Sequence, residues 1–88
     1  MADHPMLGYW MHETSGVLRP AVAAYFAGGD MTAEQIAAMR AYLRQWIMAP
    51  VWRGPEVSVL RRSIDGLTSR AAIELWIALA AEVGLDPL

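Results

Sequence analysis

The stretch TAEQIAAMRAYLRQWIMAPVW, running from Thr32 to Trp52, decides how this chain is read. The Thr32 hydroxyl is placed to cap a helix N-terminus, Gln35 can reach back to the cap's own backbone N–H, and Met31 can staple onto Ile36. That combination predicts a helix start, and the helix is expected over 33–49. Ile36, Met39, Leu43, Trp46 and Ile47 then recur at three- and four-residue spacings, so all five share one stripe of a helix and must face a core. Arg40 and Arg44 border the stripe. Ala37, Ala38, Ala41 and Gln45 form an outer face of small side chains that another backbone could approach closely. Pro50 ends the segment, because it disfavours α geometry at Ala49 and has no N–H to donate.

Upstream, Leu18, Val22, Tyr25 and Phe26 space out a shorter amphipathic helix over 17–27, closed by Gly28 and Gly29 where a left-handed residue is allowed. Pro20 is compatible with it only near the start, where a missing N–H has no intrahelical acceptor to lose. Downstream, Gly54 and Pro55 read as a cap followed by proline at the first helical position, with Glu56 favourably placed for the helix dipole. This third helix covers 55–65 and turns Val57, Leu60 and Ile64 inward, while Ser58, Val59 and Arg62 point elsewhere. Gly66 stops it, with Leu67 making the contact that accompanies such a stop. Thr68 or Ser69 caps a last helix over 69–83. There Ile73, Trp76, Ile77, Ala80 and Val83 form the expected stripe, but Leu75 and Leu79 widen it to an arc of roughly 200 degrees at 100 degrees per residue. Such a helix is apolar on more than one side.

No segment alternates with period two and no internal repeat is present, so the predicted fold is all-α: a compact four-helix bundle of orthogonal or irregular type. Residues 1–16 form an apolar arm and cap in front of it. The chain of 88 residues is short enough to hold only one core, yet 56% of it is hydrophobic, above the roughly 45–50% of ordinary soluble domains even with glycine counted there. Intrinsic disorder is not expected. The surplus instead predicts burial against a second copy or another protein.

The net charge of −2 supplies no general positive field to draw in nucleic acid or an anionic membrane. Arginine replaces lysine throughout, a composition similar to that of small helical proteins from GC-rich bacteria and their prophages. With no cysteine, disulfides, cysteine–zinc sites and thiol nucleophiles are excluded, and a reducing, cytoplasmic setting is expected. The start of the sequence lacks a signal-peptide pattern, and its longest apolar run, Leu75 to Ala81, is far below the roughly 18 residues of a membrane span. No membrane association and no cofactor are expected.

Three sets of residues could carry function. His4 and His12, with Asp3 and Glu13, have the chemistry of a metal site, but on a helix their spacing of eight amounts to about 12 Å of rise, too far to share one ion. His12, Glu13, Thr14 and Ser15 include the side-chain types of a hydrolase triad without any nucleophile elbow; a metal-assisted or hydrolytic enzyme is the weakest of the three readings. Arg40, Arg44, Arg53, Arg61 and Arg62 could share a face with Trp52 and contact phosphate, which would suit a small nucleic-acid-binding regulator. Against that, the last helix puts Ile73, Leu75, Trp76, Ile77 and Leu79 where base-reading groups should stand, and pairing such as Arg61 with Asp65 would neutralise the cluster. The third set is apolar: Tyr9, Trp10 and Met11 on the arm, with Leu75 and Leu79 on the last helix. These predict a non-enzymatic protein–protein interaction module, homo-oligomeric and most simply dimeric, of the kind that serves as an accessory or inhibitor protein in bacteria or their prophages.

Overall fold

Each helix begins and ends where local chemistry requires it to. In the computed structural model, which describes residues 16–87, the expected four helices are α1 (Leu18–Ala27), α2 (Ala33–Ile47), α3 (Pro55–Ser63) and α4 (Arg70–Glu82), with a 3-10 turn over Ile64–Gly66. Among the described residues there is no β-strand. The fold is a compact all-α bundle in which α2 lies at the centre, packed against α1, α3 and the 3-10 turn, while α3 packs on α4. The arm residues His4, Tyr9, Trp10, Met11 and His12 lie outside the described residues.

The start of α2 carries the full reciprocal cap. The Gln35 N–H donates to Thr32 Oγ1 at 3.1 Å, and the Thr32 N–H donates to Gln35 Oε1 at 3.0 Å. At α4 the cap is Ser69, whose Oγ accepts from the Ala72 N–H at 3.1 Å. In α1 the first main-chain bond runs from the Ala21 N–H to the Val17 carbonyl at 2.9 Å. Pro20 sits just before it and forfeits no bond. Among the glycines with positive φ, two shape helix ends. Gly28 closes α1 at φ 78°, and Gly54 opens α3 at φ 119°, where a Cβ would also lie 3.0 Å from Glu56 Oε2.

Boundaries differ from the sequence expectation by small amounts with clear causes. Helix α2 ends at Ile47 rather than at 49, because Pro50 forces the preceding residues into a turn. Helix α3 leaves α geometry at Ser63 and finishes as the 3-10 turn, which brings Ile64 and Leu67 into the core. At α4, Ser69 is an extended cap and Val83 is already outside helical geometry.

The core contains Leu18, Ala21, Met39, Tyr42, Leu43, Trp46, Ile47, Val57, Leu60, Ile64, Leu67, Ile73, Trp76 and Ala80. Trp46 sits between two other indoles: Trp52 at a centroid distance of 4.8 Å and Trp76 edge-on at 6.3 Å. Their polar edges are accommodated, since Trp52 Nε1 donates to the Trp46 carbonyl at 2.8 Å and Trp76 Nε1 to the Leu60 carbonyl at 3.0 Å.

Two expected core positions are corrected. Phe26 is 67% exposed and Ala21 is fully buried in its place, because a small side chain lets α1 lie close on α2. Val83 is exposed because it caps α4 instead of belonging to its last turn. Tyr42, which the stripe omitted, is fully buried, and its hydroxyl donates to the Pro87 carbonyl. That bond fastens the chain beyond α4 to the central helix.

The reciprocal cap makes a quantitative prediction. Thr32→Ala should cost about 1 kcal/mol and lower the thermal midpoint by about 4–8 °C for a domain of this size, as read by far-UV circular dichroism.

Candidate interaction face

Of the five arginines proposed as a cluster, three, Arg40, Arg44 and Arg61, are engaged within the fold. Arg61 projects from α3 to the end of α2, where helix carbonyls lack intrahelical donors. Its Nε donates to the Ile47 carbonyl at 2.8 Å, and its Nη2 lies 3.2 Å from the carbonyls of both Ala49 and Trp52. A planar cation with several fixed donors suits this task, and its charge opposes the negative end of the α2 dipole. Arg40 Nη1 donates to the Leu67 carbonyl at 3.0 Å and holds the turn that follows the 3-10 segment.

The ion pair expected between Arg61 and Asp65 is corrected: Asp65 pairs with Arg44 instead, at 2.6 Å. Arg61 is held by the carbonyls, so Asp65 is met from α2. Both partners of that pair are largely solvent-exposed, and its contribution is correspondingly small. Arg53 and Arg62 are exposed, with no hydrogen bond or ion pair among the described residues.

A second polar corner joins α1 to α4. Arg70 Nη2 donates to the Tyr25 carbonyl at 2.8 Å, the guanidinium lies 4.9 Å from the Tyr25 ring centroid, and Nε is 3.6 Å from Glu74 Oε2. Its Nη1 is buried without an acceptor among the described residues. Partial burial raises the Tyr25 pKa, the nearby Glu74 carboxylate adds to the rise, and Arg70 opposes it. The phenol is therefore neutral at physiological pH.

The described residues contain no group of three or more histidine, aspartate or glutamate side chains able to hold a metal ion. His4 and His12, the suggested ligands, lie outside them. No helix of the described residues is long and apolar enough to cross a membrane.

The clearest candidate surface is apolar and spans α3 and α4. Leu75 is 63% exposed and Leu79 41%, while Val59 on α3 is half exposed. Between the helices runs an open groove of about 180 Å³, lined by Glu56, Val59, Leu60, Leu79, Glu82 and Val83. Small-molecule sites usually occupy roughly 300–1,000 Å³ and carry convergent polar groups. This groove is smaller, and its floor is aliphatic. Glu56 and Glu82 stand at its rim and form no ion pair among the described residues.

Sequence reasoning singled out Leu75 and Leu79 but not the rest of the face. Val59 was set aside as pointing away from the core, and Val83 was placed inside it. The available signal was the spacing of Val59 four residues after Pro55 and three after Glu56, which sets it on the same side of the helix as Glu56. Met48, Val51 and Phe26 are also exposed, but Phe26 packs edge-on against Tyr25 and none of the three lines this groove.

Compared with protein-family models, with curated protein sequences and with solved structures, the chain gives no match.

The division of labour among the arginines can be measured. Arg61→Ala should destabilise the fold by about 2–3 kcal/mol, because it strips charged donors from carbonyls at a helix end. Arg62→Ala should stay within about 0.5 kcal/mol of wild type. Urea denaturation of both variants distinguishes an arginine that holds the fold from one that stands free of it.

Proposed function

We propose that this protein is a non-enzymatic helical interaction module that binds another protein surface through the face formed by α3 and α4. The observation that carries the reading is the aliphatic groove with Leu75 beside it. Exposed apolar side chains set together and rimmed by polar residues are a recurrent mark of protein–protein contact.

The size of the groove supports this over a small-molecule site. A hollow of about 180 Å³ with aliphatic walls suits one inserted apolar side chain, as when a knob from one helix enters a hole on another. The alternative, a nucleic-acid-binding regulator, retains only Arg53 and Arg62 of its five arginines as cations without internal partners among the described residues. Two cations on a net acidic chain would give weak binding with a shallow salt dependence. A cytoplasmic setting belongs to the proposal on the strength of the cysteine-free composition, and so does an accessory or inhibitory role in which the module acts by covering a partner.

The test is site-specific photo-crosslinking in the cells that express the protein. A photoreactive residue at position 79 should yield a covalent adduct with a protein chain. The same residue at the exposed Gln45 position on α2 should not. Failure to form an adduct from position 79 would remove the reading.

A further inference from the structure

The face carries both a projection and a hollow. Resting on the interaction reading above, we propose that its partner is a second copy of this chain, paired two-fold and antiparallel along α4, with Leu75 of each copy seated in the other's groove. Leu75 stands on α4 outside the groove, one turn before Leu79 and two before Val83, so knob and hole are displaced along the helix by roughly 6–12 Å. A two-fold interface sets residue i of one copy against residue j of the other, and j against i. An antiparallel pairing turns that displacement into a double match.

The outer side of α4 is built for close approach. Ala71, Leu75, Ala78 and Glu82 are all exposed, and they follow one another at intervals of four, three and four, the rhythm of a helix-pairing seam. The two alanines allow the helix axes to come near each other. Glu82 ends the seam.

Charge selects the direction. Glu56 and Glu82 mark the groove end of the face, offset in part by Arg53 just before α3. The bond from Trp76 Nε1 to the Leu60 carbonyl fixes the last turn of α3 beside the earlier half of α4. Arg62, exposed and without an internal partner among the described residues, therefore stands toward the Leu75 end. In the antiparallel pairing Glu82 faces the partner's Arg62. A parallel pairing would set carboxylate against carboxylate at one end and arginine against arginine at the other. Glu74 flanks the seam, and the Arg70 guanidinium 3.6 Å away offsets its charge.

Purified full-length protein tests this directly. Sedimentation at about 200 µM, where even a weak micromolar dimer is populated, should return a dimer mass. Leu75→Glu should weaken association at least about 30-fold, as loss of an interface hot spot does, while its thermal melt stays close to wild type because Leu75 is not in the core. Glu82→Arg and Arg62→Glu should each weaken the dimer, and the double exchange should restore it. Because the chain has no cysteine, a mixture of Leu75→Cys and Val83→Cys copies should oxidise to the crossed disulfide in preference to a Val83→Cys pair with itself.

A monomer at that concentration, or a dimer indifferent to Leu75→Glu, would overturn the proposal. If the purified protein is a monomer while position 79 still crosslinks in cells, the interaction reading survives and self-pairing does not.

Discussion

The stacking of indoles around Trp46 is the constraint on which the rest of this fold depends. Trp46 belongs to α2, Trp76 to α4 and Trp52 to the connection between α2 and α3, so one cluster of rings ties three separate parts of the chain. Aromatic rings bring large buried area and a preferred geometry together. Because Trp76 also donates to the Leu60 carbonyl, its position fixes how α4 lies along α3. The groove between those helices is thus a consequence of the core: its walls are what remains exposed once Trp76 has been seated.

The ends of α2 show how a small domain satisfies its backbone without a large polar network. At the start, a threonine and a glutamine exchange bonds with each other's backbone. At the finish, Pro50 prevents the helix from continuing, and the carbonyls left over are met from outside: Ile47 by Arg61, and Trp46 by the Trp52 indole. The same guanidinium reaches Ala49 and Trp52 and so welds the connection to α3. An arginine that looks like a surface cation in the sequence is in fact the clasp on a broken helix, and a lysine with one compact ammonium could not hold three carbonyls in a plane.

The legible parts of the fold were those governed by local rules. Thr32 with Gln35, Gly54 with Pro55, and the stripe from Met39 to Ile47 all announce themselves within a few residues, and the four helices follow from them. What the sequence concealed depends on contacts distant along the chain. Tyr42 lies beside the stripe of α2, and its hydroxyl finds its acceptor at Pro87, 45 residues away. Ala21 is buried and Phe26 exposed, although the larger ring is the stronger apolar signal of the two. The arginines were visible as a group, but the internal partners of Arg40, Arg44 and Arg61 were not, since a charge pattern carries no information about which carbonyls lie within reach. On the candidate face, the exposure of Leu75 and Leu79 was readable from the width of the α4 arc, whereas the groove needed Val59 and Val83 to be placed on the same side of the molecule.

Stability and recognition are separable in this architecture. Ile73, Trp76 and Ala80 on the inner side of α4 complete the core, while Leu75 and Leu79 contribute little to it and remain in contact with water. Leaving such side chains exposed is unfavourable by an amount that grows with apolar area, about 25 cal/mol per Å², and the folded monomer covers well under half of Leu75. Had the outer side of α4 been filled with charged residues at positions 71, 75, 78 and 79, the Trp46 cluster, the caps and the Arg61 clasp would all be unchanged. On the proposed reading, the apolar choice at those positions acts when a second surface arrives to cover it. The short length of α3 matters for the same reason. A longer helix would extend past Glu56 and close the end of the groove, whereas the Gly54–Pro55 start leaves that end open, with a carboxylate on either side of it.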